Sequence, residues 1–246
     1  MSNRNQINYC LDKNQIHIDY TTLTPRFSVT NNESLNDGIV HLNEHGYAIF
    51  SDVMLQDEIN INKDLLWNFF ENIPGHHIQR HDPTTWSKNW PGNGSFGIIN
   101  DCGIGQSDFM WNVRSNRNIK RVYSQIWNTN ELLVSFDGSG VYRNWHYEPK
   151  WKTTTGWYHA DQNPDLKPDR CCVQGFVSLT NQNETTGGLI VFPYTHLRFH
   201  ELKNQARRPN DFVAVPSSYE NLPKVSLEKL DAYQRALIIG TNIDDE

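Results

Sequence analysis

The chain has 246 residues, 37 % of them hydrophobic and 12 % aromatic, with a formal net charge of −6. This length suits a single β-rich domain, and 8 Trp, 10 Tyr and 11 Phe supply enough bulky apolar surface for a core, which excludes disorder as the default. The acidic balance excludes the basic face that a nucleic-acid partner requires, and no run of 18 apolar residues is available to span a membrane.

The opening MSNRNQINYCLDKNQ has no apolar stretch after its Arg and does not read as a secretory signal. Cys10, Cys102, Cys171 and Cys172 form neither a C-x-x-C pair nor a regular framework, as expected in a reducing compartment. Together these predict an intracellular, cytoplasmic protein.

Residues 1–37 are polar and lack sustained periodicity, so they are expected to form a loose arm before a single domain over 38–246. LNEHGYAIFSDVM predicts a turn at Gly46 and a short strand after it. LQDEININKDLLWNFFENI places Leu55, Ile59, Leu65, Leu66, Phe69 and Phe70 at roughly helical spacing. The reading is an amphipathic helix interrupted near Asn60 to Asn62 and stopped at Pro74-Gly75. Residues 76–108, rich in Gly, Pro, Asn and Trp, read as a long loop of the kind that covers active sites. FMWNVRSNRNIKRVYSQIWN predicts a second helix with Met110, Val113, Ile119, Val122, Ile126 and Trp127 inward. From about residue 131 the period falls towards two. LLVSFDG, TTGWYHAD, CCVQGFVSLT and GGLIVFPYT read as four short core strands between turn clusters. Helices first and strands after predict an α+β fold with an antiparallel sandwich or barrel in the second half.

His159 and Asp161 form H-x-D at the end of a strand that turns at Asn163-Pro164. Residues two apart on a strand share a face, so the imidazole and the carboxylate enter the same space. Neutral imidazole with a hard carboxylate suits Fe(II) in a two-His, one-carboxylate triad, which leaves coordination positions open for chemistry. Other features have blander readings. His76, His77 and His81 read as a solvated loop, Asp137-Gly138 as a hairpin turn, and His146 has no partner in the pattern. Trp86, Trp90 and Trp111 fit a pocket wall and loop packing equally well.

G-W-Y-H-A-D-Q, then C-V-Q-G-F-V-S-L-T, then N-E-T-T-G-G-L-I-V-F-P-Y-T-H resembles the phytanoyl-CoA dioxygenase family, with N-E-H-G-Y-A-I-F resembling its opening strand. The similarity covers roughly residues 40–200, and Tyr194 stands where the last motif usually has Gly. The resemblance implies a double-stranded β-helix, a cupin-like jelly roll, with N-terminal helices packed outside. It implies Fe(II)- and 2-oxoglutarate-dependent hydroxylation of a small or lipid-like substrate. His159 and Asp161 match two iron ligands, Phe176 a bulky residue beside the oxo acid, and Ser135 a further contact to it.

The family's distal histidine, in H-G-x-x-x-N, and the arginine that follows it have no counterpart, since no H-G follows Asp161. His196 with Arg207 and Arg208 mimics the spacing, but His196 sits in P-x-T-H, where the family's histidine is not a ligand. The expectation is therefore a fold incomplete at its C-terminus, without the third ligand and the arginine, unless residues 211–240 close the sheets. Open strand edges would then favour self-association. Three readings stand side by side: an active oxygenase, an inactive truncated form, and a non-catalytic jelly-roll binding module.

Overall fold

The computed structural model describes residues 24–154, 157–182, 186 and 189–202, together with strands at 18–19, 213–214 and 236–238. The elements run β1 (Ile18–Asp19), β2 (Arg26–Ser28), α1 (Asn32–His45), β3 (Ile49–Ser51), α2 (Gln56–Glu71) and β4 (Ile98–Ile99). Then follow α3 (Asp108–Arg114), α4 (Arg117–Trp127), β5 (Ser139–Gly140), β6 (His159–Ala160), β7 (Ile190–Val191), β8 (Val213–Ala214) and β9 (Ala236–Ile238). Two compact units result, one formed by Met1–Pro25, Val40–Ala48 and Thr154–Glu246, the other by Arg26–Ile39 and Ile49–Thr153. No described helix is long and apolar enough to cross a membrane.

In the unit built from 26–39 and 49–153, β2 and β3 pair in parallel, with Phe27 opposite Phe50. The crossover that parallel pairing demands is α1. Asn31 caps it, its Oδ1 accepting the Ser34 N–H at 3.0 Å. Gly38 lets the helix lie close on the strands, because a Cβ there would meet Phe50 Cε1 at 2.5 Å and Phe27 Cβ at 2.9 Å. The arm expected over residues 1–37 thus carries β1, β2 and the start of α1. Polar residues hide this helix from periodicity, and its packing depends on a glycine.

Helix α2 runs without the interruption expected near Asn60 to Asn62. Asn62 is fully buried and turns its amide back, donating Nδ2–H to Glu58 O at 2.8 Å, so the ladder continues past it. Its end at Glu71, just before Pro74-Gly75, agrees with the stop signal. Below α2 lies a core of Phe70, Ile73, Ile78, Ile99 and Ile104, with Trp67, Trp86 and Trp90 packed against it. The loop of 76–108 therefore contributes core, each buried Ile or Phe adding about 1.5–3 kcal/mol of apolar transfer. A second cluster joins Val29, Leu35 and Val122.

The single helix expected over 109–128 is two. Ser107 Oγ caps α3 through the Met110 N–H at 3.2 Å. Asn116 starts α4 afresh, its Oδ1 accepting from Asn118 N at 2.8 Å. The S-N-R-N stretch offers side-chain acceptors that compete with a continuous ladder, and the break falls there. Of the four expected core strands, LLVSFDG and CCVQGFVSLT carry no ladder among the described residues. Leu133 is fully exposed and Phe136 is 70 % exposed.

In the other unit, β9 joins β1 in parallel and β7 antiparallel, while β8 pairs antiparallel with β6. Residues beyond 210 thus supply ladder partners for both β6 and β7. Tyr158, beside β6, packs edge-on against Phe192, beside β7, with ring centroids 4.6 Å apart. Among the described residues no sheet closes into a barrel.

Candidate metal site

Strand β6 presents the H-x-D motif, with His159 opposite Ala214 and Ala160 opposite the fully buried Val213. Immediately after it the chain turns as the Asn-Pro signal demands. Buried Asn163 receives the Asp165 N–H on its side chain at 2.9 Å and the Lys167 N–H on its carbonyl at 2.8 Å. Gln162 closes the loop, donating Nε2–H to the carbonyls of Lys167 at 2.8 Å and Asp169 at 2.6 Å. Its Oε1 accepts the Cys171 N–H at 3.2 Å. The turn is thus tied at three backbone positions beyond Asp161.

Within this frame His159 Nε2 stands 3.5 Å from Asp161 Oδ1. The outer atoms of both side chains are fixed. His159 Nδ1 donates to Trp157 O at 3.0 Å, which in the neutral ring places the lone pair on Nε2, facing the carboxylate. The Trp157 indole stacks on the imidazole, with centroids 4.5 Å apart and planes at 15°. Gln174 donates Nε2–H to Asp161 Oδ2 at 2.7 Å. Such outer hydrogen bonds orient metal ligands and fix their tautomer. The side chains remain 22 % and 41 % exposed, so an ion can reach them.

Electrostatics follow from this pairing. Contact with the Asp161 carboxylate raises the His159 imidazole above its ordinary value, with help from the Trp157 carbonyl and against the cost of burial. Contact with His159 holds the Asp161 carboxyl below the usual carboxylate range, aided by the Gln174 amide and opposed by burial. At 3.5 Å the contact lies at the outer limit of a hydrogen bond, and it is an ion pair only when the imidazole is protonated at Nε2. In the neutral ring that nitrogen carries the lone pair that a cation would take.

The other sequence candidates lie elsewhere. Phe176 is 52 % exposed. Ser135 is exposed on an extended stretch of the other unit. His196 is held in its turn, Nε2 against Asn43 O at 2.8 Å, and a Cβ on Gly46 would lie 2.4 Å from its Nδ1. His200 is exposed, and Arg207 and Arg208 lie outside the described residues. Asp137 is exposed just before β5, its side chain receiving the Gly138 N–H at 2.8 Å. His76 faces Asn89 O on one side and Cys102 Sγ at 3.8 Å on the other. No cluster of three or more His, Cys, Asp or Glu suited to a metal occurs among the described residues. Sequence reasoning missed Trp157 and Gln174. Trp157 was available as a same-face neighbour two residues before His159, whereas nothing local marks Gln174.

No family model matches the chain, and no solved structure matches it. Two curated proteins are similar to parts of it. One is "Ava biosynthesis cluster protein O" of Aspergillus versicolor, 31 % identical over 109 residues, covering 44 % of this chain and 34 % of that protein. The other, from Dictyostelium discoideum and provisionally named a phytanoyl-CoA dioxygenase, is 23 % identical over 192 residues, covering 64 % of this chain and 54 % of that protein. The chain thus spans between a third and about half the length of these relatives. The similarity to a dioxygenase-like protein is distant.

Proposed function

We propose that the chain is an Fe(II)- and 2-oxoglutarate-dependent oxygenase of the phytanoyl-CoA dioxygenase kind, hydroxylating a small or lipid-like substrate on a double-stranded β-helix. The observation that carries the reading is the convergence of His159 Nε2 and Asp161 Oδ1 to 3.5 Å, with the far atom of each side chain fixed by a hydrogen bond. Distant similarity to a provisionally named phytanoyl-CoA dioxygenase supports the same direction.

Two of the three donors of a two-His, one-carboxylate triad fit Fe(II) in kind, one imidazole with its lone pair on Nε2 and one ionised carboxylate. No third His, Cys, Asp or Glu joins them among the described residues. His159 Nε2 and Asp161 Oδ1, 3.5 Å apart, would be the two atoms that hold the ion. When bound, the iron supplies open positions at which the 2-oxo acid and oxygen meet. The chain's own residues bind and orient. Trp157 O holds the ring in the binding tautomer, and the Trp157 indole covers one face of it against water. Gln174 keeps Asp161 turned towards His159.

The test is spectroscopic. The full chain, mixed anaerobically with Fe(II) and 2-oxoglutarate, should develop the visible charge-transfer absorption of a 2-oxo acid chelated to iron. His159→Ala should lose it. No absorption with the native chain, or equal absorption with the variant, would overturn the proposal.

A further inference from the structure

In the unit built from 26–39 and 49–153, Arg143 is held on several sides by groups that carry no negative charge. Its Cζ lies 5.4 Å from the ring centroid of Trp90 and 5.0 Å from that of Trp151, the latter indole itself buried. Nη1 donates to Trp86 O at 2.9 Å. The three indoles support one another, with Trp86 centroids 5.9 Å from Trp90 and 6.0 Å from Trp151. A guanidinium has five N–H donors, and this carbonyl uses one. No carboxylate forms an ion pair with Arg143 among the described residues. Burial nevertheless works against its charge, lowering it from the usual arginine value. Beside Nη2 the chain has Gly94, where a Cβ would come within 3.0 Å of that nitrogen. A carbonyl orients one arm, two indoles lie against the guanidinium and Gly94, which has no side chain, lies beside the other arm.

We propose that Arg143, set on the indoles of Trp90 and Trp151, anchors a binding site for the carboxylate of a small organic acid. The planar fork matches a carboxylate bidentately, and an immobilised guanidinium loses little further rotamer freedom on binding. The surrounding indoles offer an apolar body its contact area. The site takes its residues from one unit alone and does not depend on iron at His159.

Calorimetric titration of the metal-free full chain tests it, with decanoate, 2-oxoglutarate and inorganic phosphate as separate probes. Saturable binding of a carboxylate is expected. Tighter decanoate assigns an acid with an apolar body, and tighter 2-oxoglutarate assigns an oxo acid. Arg143→Gln should weaken binding about tenfold or more, and Arg143→Lys should restore only part of it, because an ammonium lacks the fork. Gly94→Ala keeps the guanidinium and crowds its Nη2, so it should weaken binding even if Arg143→Gln fails to fold. His159→Ala should leave carboxylate binding unchanged, which separates this site from the iron reading. Absence of saturable carboxylate binding, equal or tighter phosphate, or undiminished binding in Arg143→Gln or Gly94→Ala would overturn the proposal.

Discussion

Replacing Gln174 by Ala removes the amide that donates to Asp161 Oδ2 at 2.7 Å and touches nothing else that holds β6. A hydrogen bond to an ionised carboxylate contributes about 1.5–3 kcal/mol when shielded from water. The Asp161 side chain keeps 41 % of its exposure, so water replaces part of that bond and roughly 1 kcal/mol remains. Since about 1.4 kcal/mol is tenfold in affinity, divalent metal binding should weaken roughly five- to tenfold, at the low end of what outer hydrogen bonds contribute to metal sites. The carboxyl of the metal-free variant should stay below the usual range, because His159 is the larger cause of its depression. Titrating Co(II) into metal-free native and variant chains by calorimetry reads this directly. Unchanged affinity would refute the orienting role of Gln174. A loss as complete as that of His159→Ala would make Gln174 a ligand itself.

Phe70→Ala should destabilise the chain by about 3–5 kcal/mol, since Phe70, in the last turn of α2, is fully buried among four isoleucines; chemical denaturation should show the midpoint falling at unchanged slope. Gly46→Ala should cost about 1–3 kcal/mol, because φ is +83° there and the new Cβ would lie 2.4 Å from His196 Nδ1; an unchanged melting temperature would contradict this. His41 stacks on His45 with centroids 4.0 Å apart, and burial, then the His45 charge, lowers its imidazole from 6.5. The unfolded chain therefore takes up this proton first, and stability should decline as pH falls through about 6.5. His41→Phe should flatten that decline in thermal melts between pH 7.5 and about 5.5, and a slope identical to the native one would remove His41 as its source.

What could be read from the sequence was local chemistry. The H-x-D strand and its Asn163-Pro164 turn follow from a period of two and an Asx turn, and the structure places both there. Gly46 likewise sits at a bend with a positive φ, whereas Asp137-Gly138 precedes β5, which pairs with β4, and no hairpin turn forms there. What escaped depends on tertiary partners. Helix α1 is polar outside and fits β2 and β3 through the absence of a side chain at Gly38, which no periodicity registers. Asn62 looked like an interruption, but its Nδ2 donates to the carbonyl of Glu58 on the preceding turn and the helix runs on. Gln174 reaches Asp161 across 13 residues, and Arg143 reaches Trp86 across 57, so neither partnership has a signature in spacing. LLVSFDG alternates like a strand, yet a strand exists only with a neighbour to bond, and the described residues give it none.

The central claim is that His159 and Asp161 together hold a divalent metal. Calorimetric titration of anaerobic Fe(II) into the metal-free full chain, repeated with His159→Ala and Asp161→Ala, tests it most directly. The account predicts one ion bound per chain, with binding abolished by either substitution while the far-ultraviolet circular dichroism stays native. Stoichiometric binding that survives both substitutions would contradict it.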